Sequence, residues 1–195
     1  MFKRNHMLKT IAATSIAVVS FAALSQQTEQ TTASVTVQNA FTLTEDAALS
    51  FGTITASVFS TASTYEVNAD GTFGNTGDNI RVLNPGSPAS YTVAAAAPFA
   101  DLQVRTLQDS VDLENSVAPP GSPVLTLDTF TISDGTLSGT VNSAADSIAL
   151  ATDVNGTVTF TVGGTITLAG DITVANHGPL VDGDYEGTFS IEVSY

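Results

Sequence analysis

Between Ala33 and Tyr195, runs in which apolar side chains take every second position recur along the chain, and no stretch of three turns carries them at the i, i+3, i+4, i+7 spacing of a buried helix face. Val35, Val37, Phe41 and Leu43 alternate with Thr36, Gln38, Thr42 and Thr44. Val158, Phe160 and Val162 alternate with threonines, and Phe189, Ile191, Val193 and Tyr195 keep the pattern at the C-terminus. Successive side chains of a strand point to opposite faces of a sheet, so this period predicts strands with one buried face. Thr, Val, Ile and Phe suit such a pleated, half-buried surface. Asp70-Gly71, Asp134-Gly135, Asn155-Gly156 and Asp182-Gly183 punctuate the runs. These dipeptides supply the positive φ of tight hairpins.

The fold expected is all-β, an antiparallel β-sandwich of Ig-like or jelly-roll type, forming a single domain over residues 33–195. Strands are expected at 33–44, 48–55, 57–67, 79–83, 89–96, 102–107, 123–132, 136–142, 156–162, 164–169 and 184–195. The loop from Gln108 to Pro123 carries Asp109, Asp112 and Glu114 ahead of Pro119, Pro120 and Pro123. Proline cannot donate to a ladder, so no central strand is expected there.

Lys3, Arg4 and Lys9 precede the apolar stretch Ile11–Leu24, and Ala23 and Ser25 sit where a signal peptidase reads small residues. Residues 1–25 therefore read as a cleaved signal peptide. The polar stretch 26–32 reads as a disordered extension. The apolar run is shorter than the ~20 residues of a membrane-spanning helix, so no integral membrane segment is expected in the mature chain. The destination is the cell surface or the exterior.

Once Lys3, Arg4 and Lys9 leave with the signal, Arg81 and Arg105 stand alone against 19 acids, a formal charge of −17. Nucleic acid and anionic lipid are excluded as partners, because both need cations to neutralise phosphate. The chain has no cysteine, so stability comes from packing and not from a disulfide framework. A mature chain without lysine cannot form sortase-linked pili or Lys–Asn isopeptide bonds, so any polymer is non-covalent.

No catalytic centre is legible. His177 is the single histidine left after export, in a turn-like Ala175–Pro179 stretch, and no G-x-S-x-G elbow presents a nucleophile. Zinc wants several His or Cys ligands. A glycosidase needs only a carboxylate pair, but sugar sites on sandwiches also want aromatic platforms, and here Trp is absent. The chain is therefore read as no enzyme and without a cofactor. Calcium is a weaker candidate at Asp70, Asp78, Asp153, Asp182 and Asp184, which offer hard oxygen ligands in short loops. Asp and Asn beside Gly serve hairpins for conformational reasons alone, and that reading is preferred.

Leu49–Ile54, with Phe51, Gly52 and Ile54, the pair Gly163 and Gly164, and the terminal block with Gly183, Tyr185, Gly187, Phe189, Ile191, Val193 and Tyr195 resemble a family of exported bacterial β-sandwich proteins of unknown function. The resemblance implies a layout like that of fimbrial or spore-coat-type subunits and an extracellular structural role. Both ends are also similar to chaperone–usher pilins, which begin with a free alternating extension that completes a neighbour's sheet. Two departures are that Tyr195 is terminal where the pilin pattern has it penultimate, and that the pilin cysteine pair is missing.

The function expected is a non-enzymatic subunit of a surface filament or matrix, with Val35, Val37, Phe41 and Leu43 entering an adjacent copy and Asn39 at a pocket mouth. An extended segment pairs readily at an open sheet edge. The alternatives are that 33–44 is the chain's own first strand, that Thr157–Val162 stacks as an amyloid-type zipper, and that the protein is a monomeric surface module binding extracellular polysaccharide. A glycoside hydrolase and a small outer-membrane barrel are further alternatives.

Overall fold

The structure is a computed structural model, and it describes residues 40–141, 145–171 and 178–195, together with 32, 34 and 173. The expected signal peptide, Val35, Val37, Asn39 and His177 lie outside the described residues.

Fourteen strands form three antiparallel sheets, with no helix among the described residues. They are β1 (Thr42–Ala47), β2 (Thr53–Val58), β3 (Ser63–Val67), β4 (Phe73–Thr76), β5 (Ile80–Asn84), β6 (Ala89–Ala94) and β7 (Asp101–Thr106), then β8 (Ser110–Leu113), β9 (Leu125–Ser133), β10 (Ser138–Val141), β11 (Ile148–Ala151), β12 (Val158–Leu168), β13 (Gly178–Pro179) and β14 (Ile191–Ser194). The sheets do not close into a barrel. The all-β sandwich expected from the period-two pattern is what the chain forms.

The spine is β12. Thr161 and Val162 pair with Ser90 and Ala89 of β6 on one side and with Ser133 and Ile132 of β9 on the other. Thr165, Ile166 and Thr167 pair with Glu66, Tyr65 and Thr64 of β3 and with Asp128, Leu127 and Thr126 of β9. One edge of β12 is thus shared end to end by β6 and β3, while β9 follows the other from Thr161 to Thr167. The outer edge of β9 is divided in the same way between β8 and β10. The two long strands share one irregularity: the register shifts between Gly163 and Thr165, opposite Thr129, whose φ is +50°. A bulge of this kind bends and twists a sheet locally.

The expected strands 156–162 and 164–169 leave a break at Gly163; instead one strand, β12, runs through it. The expected break had a physical basis in glycine's weak strand preference. What overrides it is close approach, because a Cβ on Gly163 would collide with the backbone from Val67 to Ala69. Four elements were not expected: β4, β8, β11 and β13. β8 lies inside the acidic, proline-bounded loop, ends before the prolines, and pairs only with β9. The first strand begins at Thr42, and the last is confined to Ile191–Ser194.

The small sheet β11-β7-β14 packs on this platform. Leu102 and Val104 of β7 and Leu150 of β11 are fully buried, in one core with Phe130, Ile132, Phe160 and Val162. The rings of Phe130 and Phe189 lie 4.9 Å apart between the layers. The third sheet, β13-β2-β5, contributes Val58 and Ile80. Fully burying one such side chain is worth about 1.5–3 kcal/mol, so this apolar core replaces the disulfides the chain lacks.

Candidate functional site

The acidic turns use their carboxylates internally. Asp153 Oδ1 accepts the N–H groups of Asn155 and Thr157, both at 2.8 Å. Asp70 Oδ1 accepts the Thr72 hydroxyl at 2.6 Å and the Thr72 N–H at 2.9 Å. Asp134 Oδ1 takes the N–H groups of Thr136 and Leu137. Hydrogen bonds to the ionised form favour it. The Thr72 hydroxyl and then its N–H hold Asp70 below the ordinary carboxylate value, and the N–H groups of Thr157 and then Asn155 do the same for Asp153.

The other calcium candidates are not brought together. Asp70 and Asp78 lie beyond opposite ends of β4. Beside Asp184, Asp182 contributes its backbone carbonyl to Asn115 Nδ2 at 3.3 Å. Among the described residues, no group of three or more His, Cys, Asp or Glu side chains is placed to hold one ion.

Two open depressions mark the surface. One, of about 210 Å³, lies under Pro119, Pro120 and Pro123 beside Tyr185. The other, of about 520 Å³, lies between Asp70, Asp134, Thr136 and Thr161. Phe160, which contributes to the second, is 1% exposed and offers no ring face to a sugar. No helix among the described residues is long and apolar enough to cross a membrane.

The singled-out motif residues pack the fold. Gly52 has a φ of +71°, and a Cβ there would strike the Asn84 carbonyl. Phe51 meets the Tyr65 ring edge-on at 6.2 Å, and Ile54 opposes Val82. Gly187 leaves room for Leu113 and Val111, whose side chains a Cβ would approach at 2.7 and 2.8 Å. The Tyr185 hydroxyl donates to the Val181 carbonyl at 3.1 Å. The Tyr195 hydroxyl accepts the Ala97 N–H at 3.0 Å, and its ring meets Phe41 at 5.6 Å.

Sequence reasoning missed two buried polar anchors. Thr152 Oγ1 accepts the Ala100 N–H at 2.8 Å and donates to the Ala97 carbonyl at 2.7 Å, bracing the loop that carries Phe99. Asn115 Nδ2 reaches the Val181 and Asp182 carbonyls. One Thr or Asn among many carries no local signal of such a role. Phe99, at φ +56°, is 73% exposed beside Val154 at 63%, so this braced loop presents an apolar tip.

Asp70, Asp134 and Asp153 thus serve their own turns, and several sheet edges stand open among the described residues. Leu43 of β1 pairs with Val93 of β6, so it and the adjoining Phe41 are engaged by their own chain. At the other end of the sandwich's small sheet, β14 pairs with β7 alone, and Arg105 of β7 holds Glu192 through Nε at 2.9 Å and Nη2 at 2.6 Å.

Fold and open edges define an antiparallel β-sandwich module. A family model described as a domain of unknown function (DUF4402) matches residues 41–195, and the chain belongs to that family. No curated protein and no solved structure matches it.

Proposed function

We propose that this is an exported, non-enzymatic structural protein, a subunit of a cell-surface filament or matrix assembled by β-strand pairing between copies. One observation carries the reading. In the β1–β6 register, Thr42 opposes Ala94, which would put Phe41 opposite Ala95. Ala95 has a φ of +62°, and the next residue turns away to hydrogen-bond Gly156. The chain's own ladder on β6 therefore stops at Thr42. The sequence that precedes it, 33–41, alternates Val35, Val37 and Phe41 with polar residues and carries no charge, the composition of a strand suited to pairing at an open edge.

This refines which residues donate. Thr42 onward belongs to the chain's own sheet and Phe41 packs on its own Tyr195, so the donated segment is 33–40, with Val35 and Val37 as its pocket-filling side chains. Extended segments of this type gain affinity from backbone hydrogen bonds and specificity from alternate side chains. Head-to-tail pairing that does not close gives fibres.

The test is electron microscopy and sedimentation of mature protein (26–195) beside a chain lacking residues 26–40, which keeps Phe41 and β1. Filaments from the first and folded monomer from the second are expected. Filaments from the truncated chain would refute donation, and a monomer in both would favour the stand-alone surface module.

A further inference from the structure

We infer that the outer edge of β14 accepts residues 33–40 of a second copy, paired antiparallel. The inference deepens the strand-donation reading and rests on it.

Edge strands differ in what an added neighbour would cover. All six residues of β1 are exposed, Glu45 and Asp46 sit on it, and its register breaks between Glu45 and Ala47. Charge and bulges are how native edges discourage pairing. In β11, the other edge of the small sheet, the inward Leu150 is fully buried and needs no cover. Ile191 and Val193 of β14 pack against the same core yet stay half-buried. Their incomplete burial is what a missing adjacent strand leaves behind.

The backbone of β14 suits the role. The Leu107 N–H donates to the Ser190 carbonyl at 2.9 Å, which turns Ser190 toward β7. Hydrogen-bonding direction alternates along an antiparallel strand, so Glu192 and Ser194 also face β7. The N–H and C=O of Ile191 and Val193 face outward. The single charge on the strand, Glu192, is held by Arg105. Residues 33–40 carry no charge, so this contact adds no repulsion between strongly acidic copies.

Direction selects the donor. Phe41 sits against Tyr195, so residues leading into Phe41 of the same chain would run parallel to β14. A second copy can enter antiparallel, the pairing that is more stable per residue. Eight extended residues span about 26 Å, ample for the four residues of β14.

Val193→Pro in the mature chain removes an outward N–H without touching the ladder to β7, a substitution an edge strand tolerates. Loss of filaments with cooperative unfolding retained is expected; filaments from this variant would overturn the inference. Should the variant not fold, the cysteine-free chain permits trapping. Chains carrying Val35→Cys, Thr36→Cys or Val37→Cys are mixed with a size-tagged Ser194→Cys chain and oxidised under filament-forming conditions. A mixed disulfide with at least one of the three is expected. Its absence with all three, or ring closure within a doubly substituted chain at high dilution, would overturn the inference. Loss of filaments on deleting 26–40 combined with filaments from Val193→Pro would keep donation and move the acceptor to another edge. Filaments from the deletion, or none from the unmodified chain, would remove both.

Discussion

Phe130 of β9 and Phe189, just ahead of β14, stack tilted at 41° with ring centroids 4.9 Å apart, and they tie the small sheet to the large one. Phe130 is fully buried and Phe189 half-buried. Phe130→Ala should cost about 3–5 kcal/mol. Phe189→Ala should cost about 2 kcal/mol, from partial burial plus the ring contact. A double-mutant cycle followed by urea denaturation should show a coupling of about 0.5–1.5 kcal/mol. Strict additivity would mean that the rings do not join the layers.

Thr106 ends β7 fully buried, and its Oγ1 has no hydrogen-bond partner. A buried hydroxyl without a partner costs about 1–3 kcal/mol. Thr106→Val keeps the shape and removes that cost, so the thermal midpoint should rise; a fall would show that the hydroxyl is satisfied in solution.

Gly163 lies under the backbone of residues 67–69 where β12 passes from β6 to β3. Gly163→Ala must push that backbone away and should cost about 2 kcal/mol or more. Gly135→Ala serves as comparison: nothing lies near its Cβ, but its φ of +85° adds strain. That variant should lose only about 1 kcal/mol, the cost of the left-handed backbone alone. Equal losses at the two positions would contradict the close approach.

Acid should unfold the protein partly through its turns. Asp70 and Asp153 are depressed in the folded chain, so their contribution is fully present above the unfolded carboxyl value, about 3.9, and is lost as pH falls through the lower folded values. Asp153→Asn, which keeps an acceptor for the turn, should make the loss of stability between neutral pH and the acid limb shallower. An unchanged acid limb would show that other groups govern it. Because these carboxylates are engaged by backbone N–H groups, added calcium should leave the thermal midpoint unmoved.

A chain lacking residues 1–25 would carry a formal charge of −17, and repulsion between such copies would oppose association, screened over a Debye length of about 8 Å at 0.15 M. Assembly followed by light scattering should therefore strengthen with salt. Weakening with salt would mean that attractive ion pairs hold the copies together.

How much of this was legible depended on distance along the chain. The alternation of Val158, Phe160 and Val162 predicted a strand because side-chain direction is a property of neighbouring residues. The same local reasoning divided β12 at Gly163, since the close approach that calls for glycine there comes from backbone near Val67, about a hundred residues earlier. Asp153-Val154-Asn155-Gly156 was readable as a turn, whereas the roles of Thr152 and Asn115 were not.

The sequence by itself determined the all-β class and the hairpins at Asp70-Gly71 and Asp134-Gly135, because both rest on side-chain alternation and local φ; the dipeptides Asn155-Gly156 and Asp182-Gly183, expected in hairpins too, instead turn the chain between strands of different sheets. Only the tertiary structure decided that β6 ends at Ala94, that β1 starts at Thr42, and that β14 keeps one outward edge among the described residues. Those outcomes depend on which distant strand supplies the next row of hydrogen bonds, and period two is the same whichever partner is chosen.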